Sequence, residues 1–568
     1  MAKHHAHRSR AVRRGMSLVT VVAVVTVVAG LLAAVAAASP ASDQADAQRN
    51  RALVLSGPMT PQKAQLQGKT NIDFGPNCDT STGRVKIPTV YAAPCIEPFT
   101  GKNGGSTAEG VTADSVKVVV YVGDPAKDPL LAGQIAAAGA SLDTNLIKDT
   151  WRGYFDIYNK MYELYGRKID AQFFDGTGSG ADTTASKADA IAIADMKPFA
   201  VLGGPQQSTT VFSDELAHRG VLCIGTCATA VPQKIINSDQ PYIWPAGASP
   251  EQAATIASEF IGKQAGPGKA QYAGDDATKS KNRVYGFAHY DTPDGQYKGL
   301  FDTLESGLKK YGIKVKADQS FFLDPSKAQE NARTIITKMK NAGVTTLIYT
   351  GDPLTPAALT KEATAQDYHP EWIIGPSVLA DTSIFGRTFD QDQWSHAFGL
   401  ALVPGRVPQS DNPSYSLYQW FHGSAPPNNT YGVILPSISM FARGVTMAGP
   451  KLALKTFRDG LFRYPPSGGD AVNPQDSWGK HGFWPSVDYN SSDDSGMLWW
   501  DPTATGEDEV GHQGSGEYRY AGGGMRYTLG KFPAKGRGGL FDTGSSVTVF
   551  PQLPPESSTA SYAPPATG

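Results

Sequence analysis

From about residue 111 to residue 375 the chain alternates short apolar runs with longer stretches of apolar residues at 3–4 spacing. Residues 116–122 (VKVVVYV) form a run of the kind that marks a strand buried on both faces. Trp151, Tyr154, Phe155, Tyr158, Met161, Tyr162 and Tyr165 then recur at helical spacing, and Gly166 stops that helix. The pattern predicts strands at 168–174, 199–203 and 221–224, with helices at 186–196 and 211–219. It then restarts. Helices are predicted at 250–264, 296–311, 328–342 and 355–366, and strands at 283–289, 313–321, 345–350 and 371–375.

Strands alternating with helices of about 10–15 residues indicate parallel sheets. Two such runs, about 112–247 and 248–375, predict an α/β fold of two doubly wound lobes with a central cleft and hinge crossovers. Ligands of such sheets sit beyond the carboxyl ends of the strands. Outside these runs the pattern is weaker. Residues 39–110 read as a linker and a disulfide-stapled extension, and 431–448 and 450–461 as helices. The Trp/Tyr-rich 478–530 region reads as short strands and turns, and the Pro/Ser/Ala-rich 551–568 as a disordered tail. The expected partition gives 111–247 plus 376–450 to the first lobe and 248–375 plus 451–550 to the second.

The segment before residue 39 changes where this fold is expected to work. Lys3, Arg8, Arg10, Arg13 and Arg14 precede 23 uncharged residues, from Met16 to Ala38. A basic leader, an apolar run and small residues before a polar stretch describe a secretory signal, with Ala36 and Ala38 at an A-x-A cleavage site. The run is also long enough to span a bilayer. Uncleaved, it would anchor the chain with its N-terminus inside, because the positive charge lies before it. Arg13-Arg14 lacks a good twin-arginine continuation, and no cysteine near the run offers a lipid anchor. Either way the remainder is expected outside the cytoplasm, associated with the envelope or secreted. His4, His5 and His7 read as leader rather than as a metal site.

Without that leader 46 basic residues face 53 acidic ones, and no basic stripe is present, so there is no electrostatic case for nucleic acid. Four cysteines in an oxidising compartment allow three pairings; the pairs by proximity, Cys78–Cys95 and Cys223–Cys227, close the shortest loops. Cys-x2-Cys and histidine partners at metal spacing are missing, so zinc is not expected.

Motifs for catalysis are missing too. There is no Gly-x-Ser-x-Gly elbow, no His-Glu-x-x-His helix and no phosphate-binding Gly-x4-Gly-Lys loop. Gly176-Thr-Gly178-Ser-Gly180 follows a strand, but Ala181 breaks the dinucleotide pattern, and a flexible loop is the better reading. Residues 488–494 are similar to a calcium loop without its Gly and closing Glu, and read as a solvated turn. His218, His289, His369 and His396 stand without metal spacing and read as structural. No cofactor and no metal is expected.

Residues 110–122 (GVTADSVKVVVYV), 200–210 (AVLGGPQQSTT), 220–232 (GVLCIGTCATAVP), 285–299 (YGFAHYDTPDGQYKG), 346–353 (TLIYTGDP) and 372–381 (WIIGPSVLAD) stand in a characteristic order and spacing. In these stretches the chain resembles the type I periplasmic binding proteins, in particular the leucine/isoleucine/valine-binding branch of ABC-transporter solute-binding proteins. The later 499–533 segment and the Cys78–Cys95 extension resemble those of large actinobacterial members. The resemblance implies a non-enzymatic receptor. Strand-end loops of one lobe would hold a small polar solute, and the other lobe would close on it by a hinge. It implies an ABC permease and ATPase subunits as partners.

Carried over residue by residue, the resemblance nominates Gln206, Gln207 and Ser208, then Cys227, Ala228 and Thr229, in the first lobe. In the second it nominates Tyr290, Asp291 and Thr292, Gly351 and Asp352, and the crossover residues Ser377 and Asp381. Amino-acid binders of this family place an acid after the crossover Gly-Pro, where this chain has Ser377, and a small residue where it has Cys227. An amide, a urea-like compound, a carboxylate or an aromatic acid therefore stand beside amino-acid-like solutes. Three other readings compete: a membrane-anchored ligand sensor, a cell-envelope interaction protein using 478–530, and a secreted hydrolase built on Asp291, Asp352 and His289.

Overall fold

The computed structural model describes residues 40–137, 139–292 and 295–565. The leader from Met16 to Ala38 lies outside them, and among the described residues no helix is long and apolar enough to cross a membrane. The described residues from Asn50 onward form one compact unit.

The first sheet is made of β1 (Ser115–Val122), β2 (Lys168–Asp175), β3 (Ala200–Leu202), β4 (Leu222–Gly225) and β5 (Ile243–Pro245), all parallel, in the order β2-β1-β3-β4-β5. The second begins with β6 (Tyr285–Tyr290), β7 (Val315–Phe321), β8 (Thr346–Thr350), β9 (Glu371–Ile374) and β10 (Ala397–Ala401), in the order β7-β6-β8-β9-β10, again parallel. Counted within each sheet, both orders are 2-1-3-4-5, a doubly wound order with its switch point between the first and third strands. The fold class expected from the sequence is the fold observed.

The apolar runs buried on two faces follow from this order. In the second sheet Phe287, Ile348, Ile373 and Phe398 enter one core, while Ala288, Leu347, Tyr349, Trp372, Ile374 and Ala397 enter the other. Alternate residues of one strand thus fill opposite faces. Helix α1 (Thr144–Met161) buries the predicted stripe, Trp151, Tyr154, Phe155, Tyr158 and Met161. It ends earlier than the spacing implies: Tyr162 and Tyr165 lie beyond it, and Tyr165 turns the chain at φ 59°.

Three parts differ from expectation. The 478–530 region supplies a long hairpin, β11 (Asp494–Glu507) and β12 (Gln513–Tyr520), that extends the second sheet antiparallel beyond β10, with Phe398 opposite Trp499. Strand β10, expected in the first lobe, pairs in the second sheet; Leu454–Arg463, expected in the second lobe, packs beside Tyr431–Ala448 into the first core. Apolar pattern places residues in a core without saying which of two cores, and tertiary pairing decides it. The 551–565 tail, expected to lack structure, runs along the first lobe. There the Tyr562 carbonyl accepts from Trp420 Nε1 (2.8 Å), the Tyr562 hydroxyl donates to Asp79 (2.8 Å), and Ser557 donates to Asp470 (2.6 Å).

The extension before the lobes is a two-strand ribbon (Cys78–Asp79 with Arg84–Val85) closed by the Cys78–Cys95 disulfide. Val85, Ile87, Ala93 and Ile96 join the first core, and the Ala93 N–H donates to the Tyr162 hydroxyl oxygen at 3.0 Å. The segment 488–494, expected as a solvated turn, is buried. Asp488 accepts from the Asn490 backbone and side-chain nitrogens, Asp493 from Ser477 and Trp484, and Asp494 pairs with Arg526. Burial pushes the Asp493 carboxyl up to about 9, with Asp488 and Asp476 adding like charge.

Candidate functional site

The switch points put specific loops together. In the first lobe they are the loops after β1 and β3. The β1 loop carries Asp124 and Asp128, and Asp128 accepts from the Gly180 N–H at 2.7 Å. Gly180 cannot be larger: a Cβ there would lie 2.8 Å from the Asp128 carboxylate and 3.2 Å from the Gln206 nitrogen. The Gly180 carbonyl in turn accepts from the Gln207 and Ser208 nitrogens and from the Ser208 hydroxyl (2.7 Å). The Gly-Thr-Gly-Ser-Gly segment expected to be flexible is thus latched at both ends, since Thr177 also donates through N–H and hydroxyl to the buried Asp189. This latch brings Asp128, Gly180 and Gln206 together. Sequence reasoning missed Asp128; the signal was an acid in the loop that follows the apolar strand ending at Val122.

Within the nominated trio Gln206 is exposed, Gln207 half-buried, and Ser208 buried against Ser186. The β4 loop follows Gly225, whose φ of 69° and close approach suit glycine: a Cβ would sit 2.2 Å from the Ser437 hydroxyl. That hydroxyl accepts from the Thr226 N–H at 3.0 Å. Cys227 and Ala228 are fully buried, and Cys227 is bonded to Cys223 as expected. Thr229 is exposed, with its carbonyl held by the Thr209 hydroxyl. Of the three nominated residues Thr229 is therefore the one whose side chain reaches solvent, and the Cys227 sulfur serves the disulfide.

In the second lobe the equivalent loops follow β6 and β8. Asp291 accepts from the Thr292 nitrogen (2.8 Å) and the Tyr297 nitrogen (3.4 Å), and the Thr292 hydroxyl accepts from the Gln296 nitrogen. Tyr290 lies beside Tyr297 and Phe321, and Phe321 stacks on Tyr349. Phe322, Leu354 and Val378, each in a loop just past the end of β7, β8 or β9, expose large apolar side chains. The loops after β8 and β9 are joined by the Val378 N–H donating to the Gly351 carbonyl at 2.9 Å.

Asp352 stands at the end of β8, but its carboxylate is turned onto its own loop. It accepts from the Leu354 and Thr355 nitrogens, both at 2.8 Å, and from the Thr355 (2.7 Å) and Tyr349 (3.3 Å) hydroxyls, at the start of helix α2 (Thr355–Ala365). Ser377 is 9% and Asp381 1% exposed. One Asp381 oxygen accepts from the Leu402 and Val403 nitrogens, fixing the second crossover, while the other has no partner. Burial, with Glu509 nearby, pushes the Asp381 carboxyl up to about 6. His289 shares a hydrogen bond with Asp318 (2.8 Å) and packs on Phe301, so the triad imagined for a hydrolase is not assembled around it.

Crossovers between the lobes follow β5, β10 and residue 490. At the first, the Gln233 nitrogen donates to Glu251 (2.9 Å) and Asn490 donates to the Gln233 side chain (3.2 Å). A separate pocket of about 220 Å³, lined by Gln264, Tyr272, Arg537 and Asp542 among others, opens at the amino ends of the second sheet, away from these loops.

No family model matches the chain, and no curated protein matches it. Among solved structures it is similar to a branched-chain amino acid transporter substrate binding protein from Streptococcus pneumoniae in complex with isoleucine: 13% identity, 72% of this chain and 100% of that one, TM-score 0.47. It is similar to a periplasmic binding protein type 1 from Bordetella pertussis: 11% identity, 71% and 100% coverage, TM-score 0.48. It is also similar to an ABC-transporter solute binding protein from Rhodopseudomonas palustris in complex with p-hydroxybenzoic acid: 12% identity, 74% and 100% coverage, TM-score 0.49. The fold assignment rests on the two strand orders themselves.

Proposed function

We propose that this chain is an extracytoplasmic solute receptor. It captures a small polar solute between its lobes, makes and breaks no bond, and hands the solute to an ABC permease driven by ATPase subunits. The observation that carries this reading is the repeated 2-1-3-4-5 order, which supplies two switch-point crevices in one chain joined by three crossovers. A ligand gripped by both crevices would select the closed arrangement from the ensemble.

From the first lobe Gln206, Gln207 and Thr229 offer amide and hydroxyl groups; from the second Tyr290, Asp291 and Thr292 offer hydroxyls and a carboxylate. Their exposure or partial burial supports this choice. Ser208, Cys227, Ala228, Asp352 and Asp381 support the loops in this reading, while Gly351 and Ser377 shape them. The Tyr290, Tyr297 and Phe321 rings, with exposed Phe322 nearby, favour a solute that carries an apolar or aromatic portion beside its polar group.

A thermal-shift screen of the purified protein against amino acids, amides and aromatic carboxylates tests the reading. A hit should raise the melting temperature without being converted. The shift should vanish in Gln206→Ala or Asp291→Ala while the ligand-free melt is kept. Turnover of the hit, or a shift indifferent to both substitutions, would remove the assignment.

A further inference from the structure

At the opposite end of the first lobe, next to the amino ends of β4 and β5, three metal-ligating side chains meet. Asp214 and His218 lie four apart on helix Thr209–His218, so they share a face. Asp239 caps the helix Gln233–Ser238 and precedes β5. Each offers one ligand atom, and these atoms lie within 4.8 Å of one another. His218 Nδ1 is 3.6 Å from Asp214 Oδ2.

A buried orphan atom points to a ligand. Asp239 is 8% exposed; its Oδ1 accepts from the Ser238 hydroxyl at 3.0 Å, and its Oδ2 meets no N–H or O–H donor of the chain, only the Asp214 carboxyl that faces it. A buried, unpaired carboxylate oxygen is costly unless a proton or a cation meets it. The neighbouring cations do not: Arg219 and Lys187 pair with Glu215, and among the described residues no Lys or Arg is paired with Asp214 or Asp239. Two carboxylates side by side repel, and the nearby C-terminal end of the helix adds partial negative charge.

We propose that Asp214, His218 and Asp239 form a divalent-metal site, with zinc the ion best suited to its one-nitrogen, two-carboxylate donor set and a water completing the tetrahedron. The ion clamps the end of the Thr209–His218 helix to the turn that enters β5. Because the helix starts at the β3 loop and ends at the far edge of the sheet, the ion is separate from the solute loops, and either assignment can fail without the other.

The test uses the full chain with His4, His5 and His7 replaced by alanine, so that the leader cannot bind the probe. After chelator treatment, Zn2+ is titrated by calorimetry and the melting temperature is followed. The expected result is one ion per chain and a Zn2+-dependent rise in melting temperature. Affinity should fall in both His218→Ala and Asp239→Asn by more than the ~10–100-fold that loss of a merely supporting group costs. His218 is exposed, so its replacement leaves the fold intact and separates loss of a ligand from loss of structure. Absence of Zn2+ binding, or equal binding in parent and variants, overturns the site. So does a parent blind to Zn2+ whose Asp214→Asn variant melts higher, which would identify a proton-sharing carboxyl pair.

Discussion

Replacing Asp352 by alanine separates two roles that its position at the end of β8 allows, solute contact and loop cap. In the structure the carboxylate accepts four hydrogen bonds, two of them from the Leu354 and Thr355 nitrogens, just before and at the first residue of α2. Alanine leaves the Leu354 and Thr355 N–H groups without acceptors in a loop where residue 352 is 8% exposed. The Tyr349 hydroxyl keeps its bond to the residue 352 carbonyl (2.6 Å) and contributes little to the loss. A lost helix cap costs about 0.5–2 kcal/mol and a hydrogen bond to a charged group about 1.5–3 kcal/mol. Because the bonds share one group, about 2–3 kcal/mol is expected in total. At roughly 2–4 °C per kcal/mol for a lobe of this size, the ligand-free melting temperature should fall by about 4–12 °C. Asparagine keeps a carbonyl oxygen for the two N–H groups and should lose about half as much. The assay is thermal unfolding of the ligand-free protein, with the solute-induced shift recorded separately. A ligand-free Ala variant melting within about 1 °C of the parent would refute the capping argument, and a lost solute shift alongside it would return Asp352 to the site.

Three other outcomes follow from buried groups. Glu371 and Arg283 have no exposed side-chain surface, and Glu371 also accepts from Thr346 and from the Tyr272 nitrogen. Glu371→Gln should cost about 3–5 kcal/mol in a urea titration, and pairing Glu371→Leu with Arg283→Met should recover most of it. The Asp381 carboxyl is raised by burial to about 6, so the folded state holds a proton that the unfolded chain has released; this contribution to stability is present at low pH and lost as pH rises through about 6. Asp381→Asn should flatten the stability profile between about pH 4 and 6, measured by urea midpoints. By loop length alone, removing Cys223–Cys227 (separation 4) should cost about 2 kcal/mol and removing Cys78–Cys95 (separation 17) about 3 kcal/mol, read from midpoints of the double alanine variants.

Apolar periodicity by itself determined the first four strands of each lobe and the helices between them, because a strand buried on two faces and a helix with one buried stripe leave signatures that survive without neighbours; the fifth strands, β5 and β10, did not stand out. Cysteine spacing allowed three pairings and favoured the pair of short loops that the structure shows. Periodicity could not say that β10 belongs to the second sheet while Leu454–Arg463 packs on the first core, since any core accepts an apolar segment and only tertiary pairing distinguishes them. It could not tell Asp291, half-buried, from Asp352, which caps its own loop, because both are acids just past an apolar strand. The Asp128–Gly180–Gln206 latch and the Asp214–His218–Asp239 cluster were likewise beyond it. Each gathers residues from separate elements, and their chemistry exists only where the folded backbone brings a donor and an acceptor, or three ligand atoms, to one point.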